Sequence, residues 1–239
     1  YNCTNTHMED LEAFGLLVDL AMQGSGTGAI LENDVIGKLP EVKNTLEIVE
    51  INEPGTRPVG QRQEFTSIET ILPSGIIHLK VGDSRHGWRM AYQNLINLAY
   101  LGFHAHEGHI RIYIDLSSVR PSGDRLKGFG GTANPVKLGD ALTKVVDLLN
   151  GAVGRKLTSV EACLLIDEAA TAIVAGNIRR SAGMRQFSQD DLTAAEAKLN
   201  LYSQDEAGNW RVDPKKEALR MANHTRCYHT RPSLKVVED

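Results

Sequence analysis

An α/β fold with parallel strands is predicted by three observations. Strand-like and helix-like segments follow one another along the chain with loops between them. The helix-like segments carry apolar residues at three- and four-residue steps, and the clearest strand-like run, Ile110 to Leu116, is alternating and rich in β-branched residues. Periodicity leaves an open sheet and a closed barrel equally open.

The first helix is expected over Met8 to Met22, where Leu11, Phe14, Val18, Ala21 and Met22 form one apolar stripe entered through Asn5-Thr6. It ends at the cluster Gly24-Ser25-Gly26-Thr27-Gly28, where missing side chains let backbone pass close to another group. Ala29-Ile30-Leu31 then reads as a short buried strand. From Asn33 to Gly87 the pattern is weak: Pro40, Pro54, Pro58 and Pro73 interrupt short apolar runs such as Leu46-Ile48-Val49 and Ile76-Ile77.

A second helix is expected over Trp88 to Phe103, followed by the strand Ile110 to Leu116 and a glycine-rich loop from Arg120 to Asn134. Leu138, Leu142, Val145 and Leu149 mark a helix over Val136 to Asn150. The next helix opens with the capping box Thr158-Ser159-Val160-Glu161 and runs to Ala175. Asn177 to Phe187 is strand-like, Asp190 to Tyr202 reads as an alanine-rich helix, and Pro214 to Asn223 as a short helix led by proline.

Composition narrows the class. The 239 residues, 41% apolar and 23% charged, suit a globular enzyme-like domain with a substantial core. There is no apolar run near the ~18 to 20 residues of a membrane helix and no signal-peptide pattern at the first residues, so no membrane association is expected and a cytoplasmic setting follows by default. A net charge of −4 argues against a nucleic-acid partner while leaving free nucleotides open as ligands. Cys3, Cys163 and Cys227 are an odd number without CxxC spacing, which speaks against a disulfide framework or a zinc ribbon.

The richest stretch for chemistry is Arg120-Pro121-Ser122-Gly123-Asp124-Arg125-Leu126-Lys127-Gly128-Phe129-Gly130-Gly131-Thr132-Ala133-Asn134-Pro135. Glycines interleaved with cationic side chains, after a strand and before a helix, suit an anion-binding loop; a surface turn that needs glycine for its geometry is the plain alternative. His104, His106 and His109 lie at an expected helix-to-strand turn and read as solvated loop histidines, so no metal is assigned. Adjacent Arg179 and Arg180 point to opposite faces of a strand, so at most one faces a ligand.

This run resembles the arginine-proline-x-glycine and glycine-glycine-threonine-alanine signature of adenosylcobalamin-dependent (class II) ribonucleotide reductases. Val174-Ala175-Gly176-Asn177-Ile178-Arg179-Arg180-Ser181-Ala182 resembles a second family signature. Gly82-Asp83-Ser84-Arg85-His86-Gly87-Trp88 is similar to a third, and Tyr1-Asn2-Cys3 to the segment of the first redox cysteine. The four lie in family order, and the resemblance fades from Asn33 to Pro73 and after Ser188.

The resemblance implies a ten-stranded α/β barrel of the ribonucleotide reductase type, with residues 1–239 as the N-terminal part of the catalytic barrel and a specificity-loop region at about 75–135. It implies that the complete enzyme reduces ribonucleotides, most simply triphosphates, using adenosylcobalamin to raise a thiyl radical and a cysteine pair as reductant. Cys3 would be one of that pair, with Asn2, Ser25 and Gly26 against the substrate. Asp10 would contact a deoxynucleotide effector, Asp83, Ser84 and Arg85 would belong to the first specificity loop, and Gly128, Phe129, Gly130, Gly131, Thr132 and Ala133 to the second. A thioredoxin-type protein would restore the thiols.

Cys163 reads as core, and Cys227 matches no motif. The chain opens on Tyr1 rather than Met and holds no asparagine-proline-cysteine-glycine-glutamate segment, where the family keeps its radical cysteine. It is therefore expected to be an internal piece, inactive alone. The competing expectation is a nucleotide-binding regulatory module without redox chemistry.

Overall fold

The computed structural model describes residues 3–103, 108–123, 135–173 and 183–235. In chain order these form β1 (Cys3–His7), α1 (Glu12–Met22), β2 (Gly26–Ile30), α2 (Asn33–Ile36), β3 (Thr45–Ile51), β4 (Ser67–Ile71), β5 (Ile76–Lys80), α3 (Arg85–Leu101), β6 (His109–Asp115), α4 (Pro135–Gly151), α5 (Ser159–Ile173), β7 (Gly183–Ser188), α6 (Leu192–Glu196), β8 (Tyr202–Gln204), β9 (Trp210–Val212) and β10 (Ala222–Cys227).

The expected α/β architecture is present, divided over two separate sheets. The first has the order β1-β2-β7-β10 with every neighbouring pair parallel. The second has the order β3-β6-β5-β4, parallel except for the antiparallel β4–β5 pair, and β8 and β9 form a hairpin apart from both. Parallel neighbours need crossovers, and helices supply them: α1 joins β1 to β2, and α3 joins β5 to β6.

Helix α1 packs on β1 and β2, α3 and α4 pack on β3, and α1 meets α3 and α5, so the helices share one continuous apolar core with both sheets. Phe14, Leu17, Val18 and Ala21 of α1 are buried, as are Leu138, Leu142, Val145 and Leu149 of α4. On β6 the expected alternation holds: Ile110, Ile112 and Ile114 are buried while His109 and Arg111 face solvent.

The capping box forms as expected. The Glu161 N–H donates to Thr158 Oγ1 at 3.2 Å, and the Thr158 N–H donates back to Glu161 Oε2 at 2.9 Å. Burial alone would raise the Glu161 pKa, but the Arg155 guanidinium and both Thr158 donors outweigh it and hold the carboxyl below its ordinary range. At the α1–α3 crossing, the Gly15 N–H donates to Gln93 Oε1 at 3.1 Å, and a Cβ at Gly15 would overlap that oxygen.

Several expectations are corrected. The weakly patterned stretch from Asn33 to Gly87 holds α2, β3, β4 and β5. Helix α1 begins at Glu12 rather than Met8, because residues 3–7 are already strand β1. The helix expected over Asp190 to Tyr202 is only Leu192–Glu196, and that over Pro214 to Asn223 is a 3₁₀ turn, Glu217–Met221, running into strand β10. The strand expected over Asn177 to Phe187 is described from Gly183, its earlier part lying outside the described residues. Among the described residues no helix is long and apolar enough to cross a membrane.

Candidate functional site

Parallel pairing brings together two of the residue sets singled out in the sequence. Cys3 opens β1 and stands directly opposite Gly26, which opens β2. The Cys3 thiol is free and exposed, whereas Ser25, the residue before Gly26, is buried. Ser25 Oγ donates to Thr4 Oγ1 at 3.4 Å, and Thr4 Oγ1 lies 3.4 Å from the Gly26 carbonyl. The result is a reactive-type side chain at the N-terminal end of the sheet, beside a backbone carrying no side chain at Gly26. On β2, a Cβ at Gly28 would sit 2.7 Å from Asn5 Oδ1, so glycine is required for that close approach. Asn2 lies outside the described residues.

Behind this edge is a buried polar knot that reading the sequence missed. Arg185 on β7 donates through Nε and Nη2 to Asp167 Oδ1 at 3.1 and 2.7 Å, and through Nη1 to the carbonyls of Thr27 and Met184 at 2.8 and 3.0 Å. Asp167 on α5 and Arg185 are almost wholly buried, so this pair locks the helix to the β2–β7 seam two residues from Ser25. Burial raises the Asp167 pKa despite the opposing pull of Arg185.

Cys163, expected as core, is fully buried, with Sγ 3.3 Å from Asp167 Oδ2 and 3.6 Å from His224 Nε2. Burial pushes its thiol well up and, with the Lys198 and Arg185 charges, pulls His224 down to about 4. Cys163 and Asp167 are one helical turn apart, but nothing in the spacing of residues 185 and 224 announces that they join them.

The Asp83-Ser84-Arg85 segment forms a second assembly. Ser84 caps α3, accepting from the Gly87 N–H at 2.9 Å, and its hydroxyl donates to the Glu64 carbonyl at 2.6 Å. Asp83 Oδ1 accepts from both the backbone N–H and Nε of Arg120. Thr66 bridges the turn, donating to the Gly87 carbonyl at 2.6 Å and accepting from the Gly82 N–H at 3.0 Å. Arg85 turns the other way and pairs with Asp19 on α1 at 3.2 Å.

Asp10 does not join this group. Its carboxylate accepts from the Ala13 N–H at 2.8 Å and finishes the start of α1. Nine residues separate it from Asp19, roughly 13 Å along a helix at 1.5 Å per residue.

A further cluster supports the chain entering the glycine-rich run. Asp115, at the end of β6, accepts from Asn52 Nδ2 at 2.7 Å and from the Ser117 N–H at 2.9 Å, with Arg57 at 3.5 Å and His78 at 3.4 Å. Burial opposes its ionisation, but these donors and the Arg57 charge prevail and lower its pKa. Gly128, Phe129, Gly130, Gly131, Thr132 and Ala133 lie outside the described residues, as do His104, His106, Arg179 and Arg180. His109 is described and pairs with Glu47 at 3.2 Å on the surface.

Comparison with known proteins defines the class. A family model described as the insertion domain of B12-dependent ribonucleotide reductase matches residues 59–149, which span β4, β5, α3, β6 and most of α4. A solved structure of a B12-dependent (class II) ribonucleotide reductase superposes with a TM-score of 0.68 at 26% identity, covering 90% of this chain and 28% of that one.

The chain is thus similar, in sequence and in fold, to B12-dependent (class II) ribonucleotide reductases. Among its relatives, the adenosylcobalamin-dependent ribonucleoside-triphosphate reductase of Lacticaseibacillus paracasei is 30% identical over 206 residues, covering 82% of this chain and 27% of the relative. The enzyme of the same name from Lactobacillus helveticus is 29% identical over 207 residues, covering 82% and 28%. The chain thus spans little more than a quarter of the length of the relatives it matches.

Proposed function

We propose that this chain supplies one reductant thiol and the frame of the specificity loops to an adenosylcobalamin-dependent ribonucleoside-triphosphate reductase. The observation that carries the reading is the pairing of an exposed Cys3 with Gly26, beside the buried Ser25. A ribose can approach backbone at Gly26 because nothing projects there, while the Cys3 sulfur stands on the neighbouring strand. The all-parallel sheet β1-β2-β7-β10 is then the first part of a ten-stranded barrel, and the second sheet belongs to the regulatory insertion.

The chemistry needs two electrons and two protons per turnover. The 2′ hydroxyl departs as water, two thiols close to a disulfide, and a thioredoxin-type dithiol reopens it by exchange. Cys3 is one of the two thiols, and the radical cysteine belongs to a segment not found in residues 1–239, so this chain alone is inactive. Adenosylcobalamin supplies the radical in the complete enzyme. The small cavity between Val18, Trp88 and Leu142 is a seam between packed helices, and no residue of this chain is assigned to the cofactor.

Asp83 holds Arg120 at the mouth of the second specificity loop, so a deoxynucleotide effector reaching the Gly128 to Ala133 run would act on a loop anchored at its entry. Asp10, committed to capping α1, is a positioning residue in this reading. The reductase names of the relatives support redox chemistry over a module that only binds nucleotide. The test is Cys3→Ser in the complete enzyme. Multiple turnover with an external dithiol should be abolished while ribonucleotide binding stays within about twofold; undiminished multiple turnover would remove Cys3 from the reaction.

A further inference from the structure

The opposite end of the first sheet carries three side chains that the reductase reading does not use. Glu32 follows β2, Cys227 ends β10, and His229 lies two residues beyond it. One ligand atom from each falls within 4.8 Å of the other two. Strand register explains the convergence: Cys227 pairs with Ser188 on β7, Ser188 Oγ accepts from the Asn33 N–H at 2.8 Å, and Asn33 adjoins Glu32. His229 lies in the bend just after β10, and its ring turns back to Glu32 beside Cys227.

We infer that Glu32, Cys227 and His229 form a binding site for a borderline-soft divalent cation of the zinc type. Thiolate, imidazole and carboxylate together are a donor set for zinc rather than for magnesium or calcium, which take oxygen. The carboxylate is already oriented. Glu32 is buried, and its Oε1 accepts from Gln186 Nε2 at 2.7 Å, leaving Oε2 directed at His229 Nε2, 2.6 Å away. A metal ligand held by an outer donor in this manner is the usual support of such sites.

In the metal-free chain Oε2 and Nε2 are hydrogen-bonded at 2.6 Å. Tetrahedral ligation with bonds of about 2.0 to 2.3 Å spaces donor atoms roughly 3.5 Å apart, so His229 must withdraw by about 1 Å. Its side chain is 72% exposed and free to do so, and the solvent side offers a fourth position to water. Asp34 adds a second negative charge nearby.

The contrasting trio Cys163, Asp167 and His224 is also close enough for a metal, but Asp167 is spent on Arg185 and both Cys163 and Asp167 are sealed in the core. The proposed site lies about 20 Å from Cys3, six strand residues away along the sheet at about 3.3 Å each, and does not depend on the reductase reading. Bound metal would fasten the segment after β10 to the end of β2 across β7.

Cobalt(II) is the probe, added to the full chain in a non-thiol reductant without oxygen. Expected are one equivalent bound, a near-ultraviolet thiolate-to-cobalt charge-transfer band, visible bands of four-coordinate strength, and bleaching by zinc. Cys227→Ser should lose the charge-transfer band with its circular dichroism unchanged, His229→Ala should bind at least tenfold more weakly, and Cys3→Ser should keep the band. No cobalt binding by the wild-type chain, or a band that survives Cys227→Ser or disappears in Cys3→Ser, would overturn the site.

Discussion

Asp83 and Arg120, 37 residues apart in sequence, are joined twice through one carboxylate oxygen, which takes the Arg120 backbone N–H at 3.0 Å and its Nε at 2.9 Å. The contact is largely shielded, with side chains 15% and 16% exposed, so it is stronger than a surface pair. It fixes where the chain leaves β6 for the glycine-rich run.

Replacing Asp83 by Ala should therefore cost about 1.5–3 kcal/mol, the range for hydrogen bonds to a charged group. In the complete enzyme it should also weaken the dependence of substrate choice on effector. Denaturant unfolding and product ratios with paired effectors measure the two effects. Wild-type stability together with wild-type effector response would refute the anchoring role.

Gly82→Ala tests the turn itself. A Cβ there would overlap the Glu64 carbonyl, and the obstacle is backbone rather than the end of a flexible side chain. Destabilisation of about 1–3 kcal/mol is expected from forcing that backbone aside. Gly60→Ala, with open space around its Cβ position, is the control and should unfold within about 0.5 kcal/mol of wild type.

The Asp167–Arg185 pair should show the asymmetry of buried ions. Arg185→Met leaves a carboxyl in the core without its cation, and a loss of about 3–5 kcal/mol is expected. Adding Asp167→Leu removes the orphan and should recover a large part of that loss. A double variant as unstable as the sum of the singles would show that the pair acts through its carbonyl contacts to Thr27 and Met184 instead.

His224 sets a pH dependence. Its pKa falls from 6.5 to about 4, chiefly through burial and then through the charges of Lys198 and Arg185. Between these values the unfolded chain binds a proton that the folded chain refuses. Its contribution is complete above pH 6.5 and declines as the pH falls toward 4. The full shift would correspond to about 3 kcal/mol, reduced to about 1–2 kcal/mol by the ring's partial contact with solvent. His224→Gln should flatten the slope of the urea midpoint between pH 6.5 and 4.5; an unaltered slope would assign the titration elsewhere.

The sequence was legible where burial imposes a pattern. Leu138, Leu142, Val145 and Leu149, the Thr158–Glu161 box and the alternating isoleucines of β6 all adopt the structures their spacing predicts. It was illegible where pairing comes from elsewhere. β10 reads Ala-Asn-His-Thr-Arg-Cys, with no apolar alternation, and is a strand because β7 offers it a parallel backbone partner. The site divides in the same way. Motifs brought Cys3, Ser25 and Asp83 into view, but Asp167, Arg185 and Gln186 act through contacts made by folding, which leave no local signal.

The placement of β7 between β2 and β10 also fixes an order of events during folding. The second sheet closes within residues 45–115, and β5 reaches β6 over a single helical crossover. In the first sheet, β2 has no neighbour on its β7 side until residues 183–188 arrive, and β10 can add only after them. Contacts spanning some 150 residues form late, because ordering so long a loop carries a large entropic cost. A ribosome extruding this chain would release a formed second sheet first, and the Cys3 edge would acquire its β7 backing only after residues 183–188 had followed.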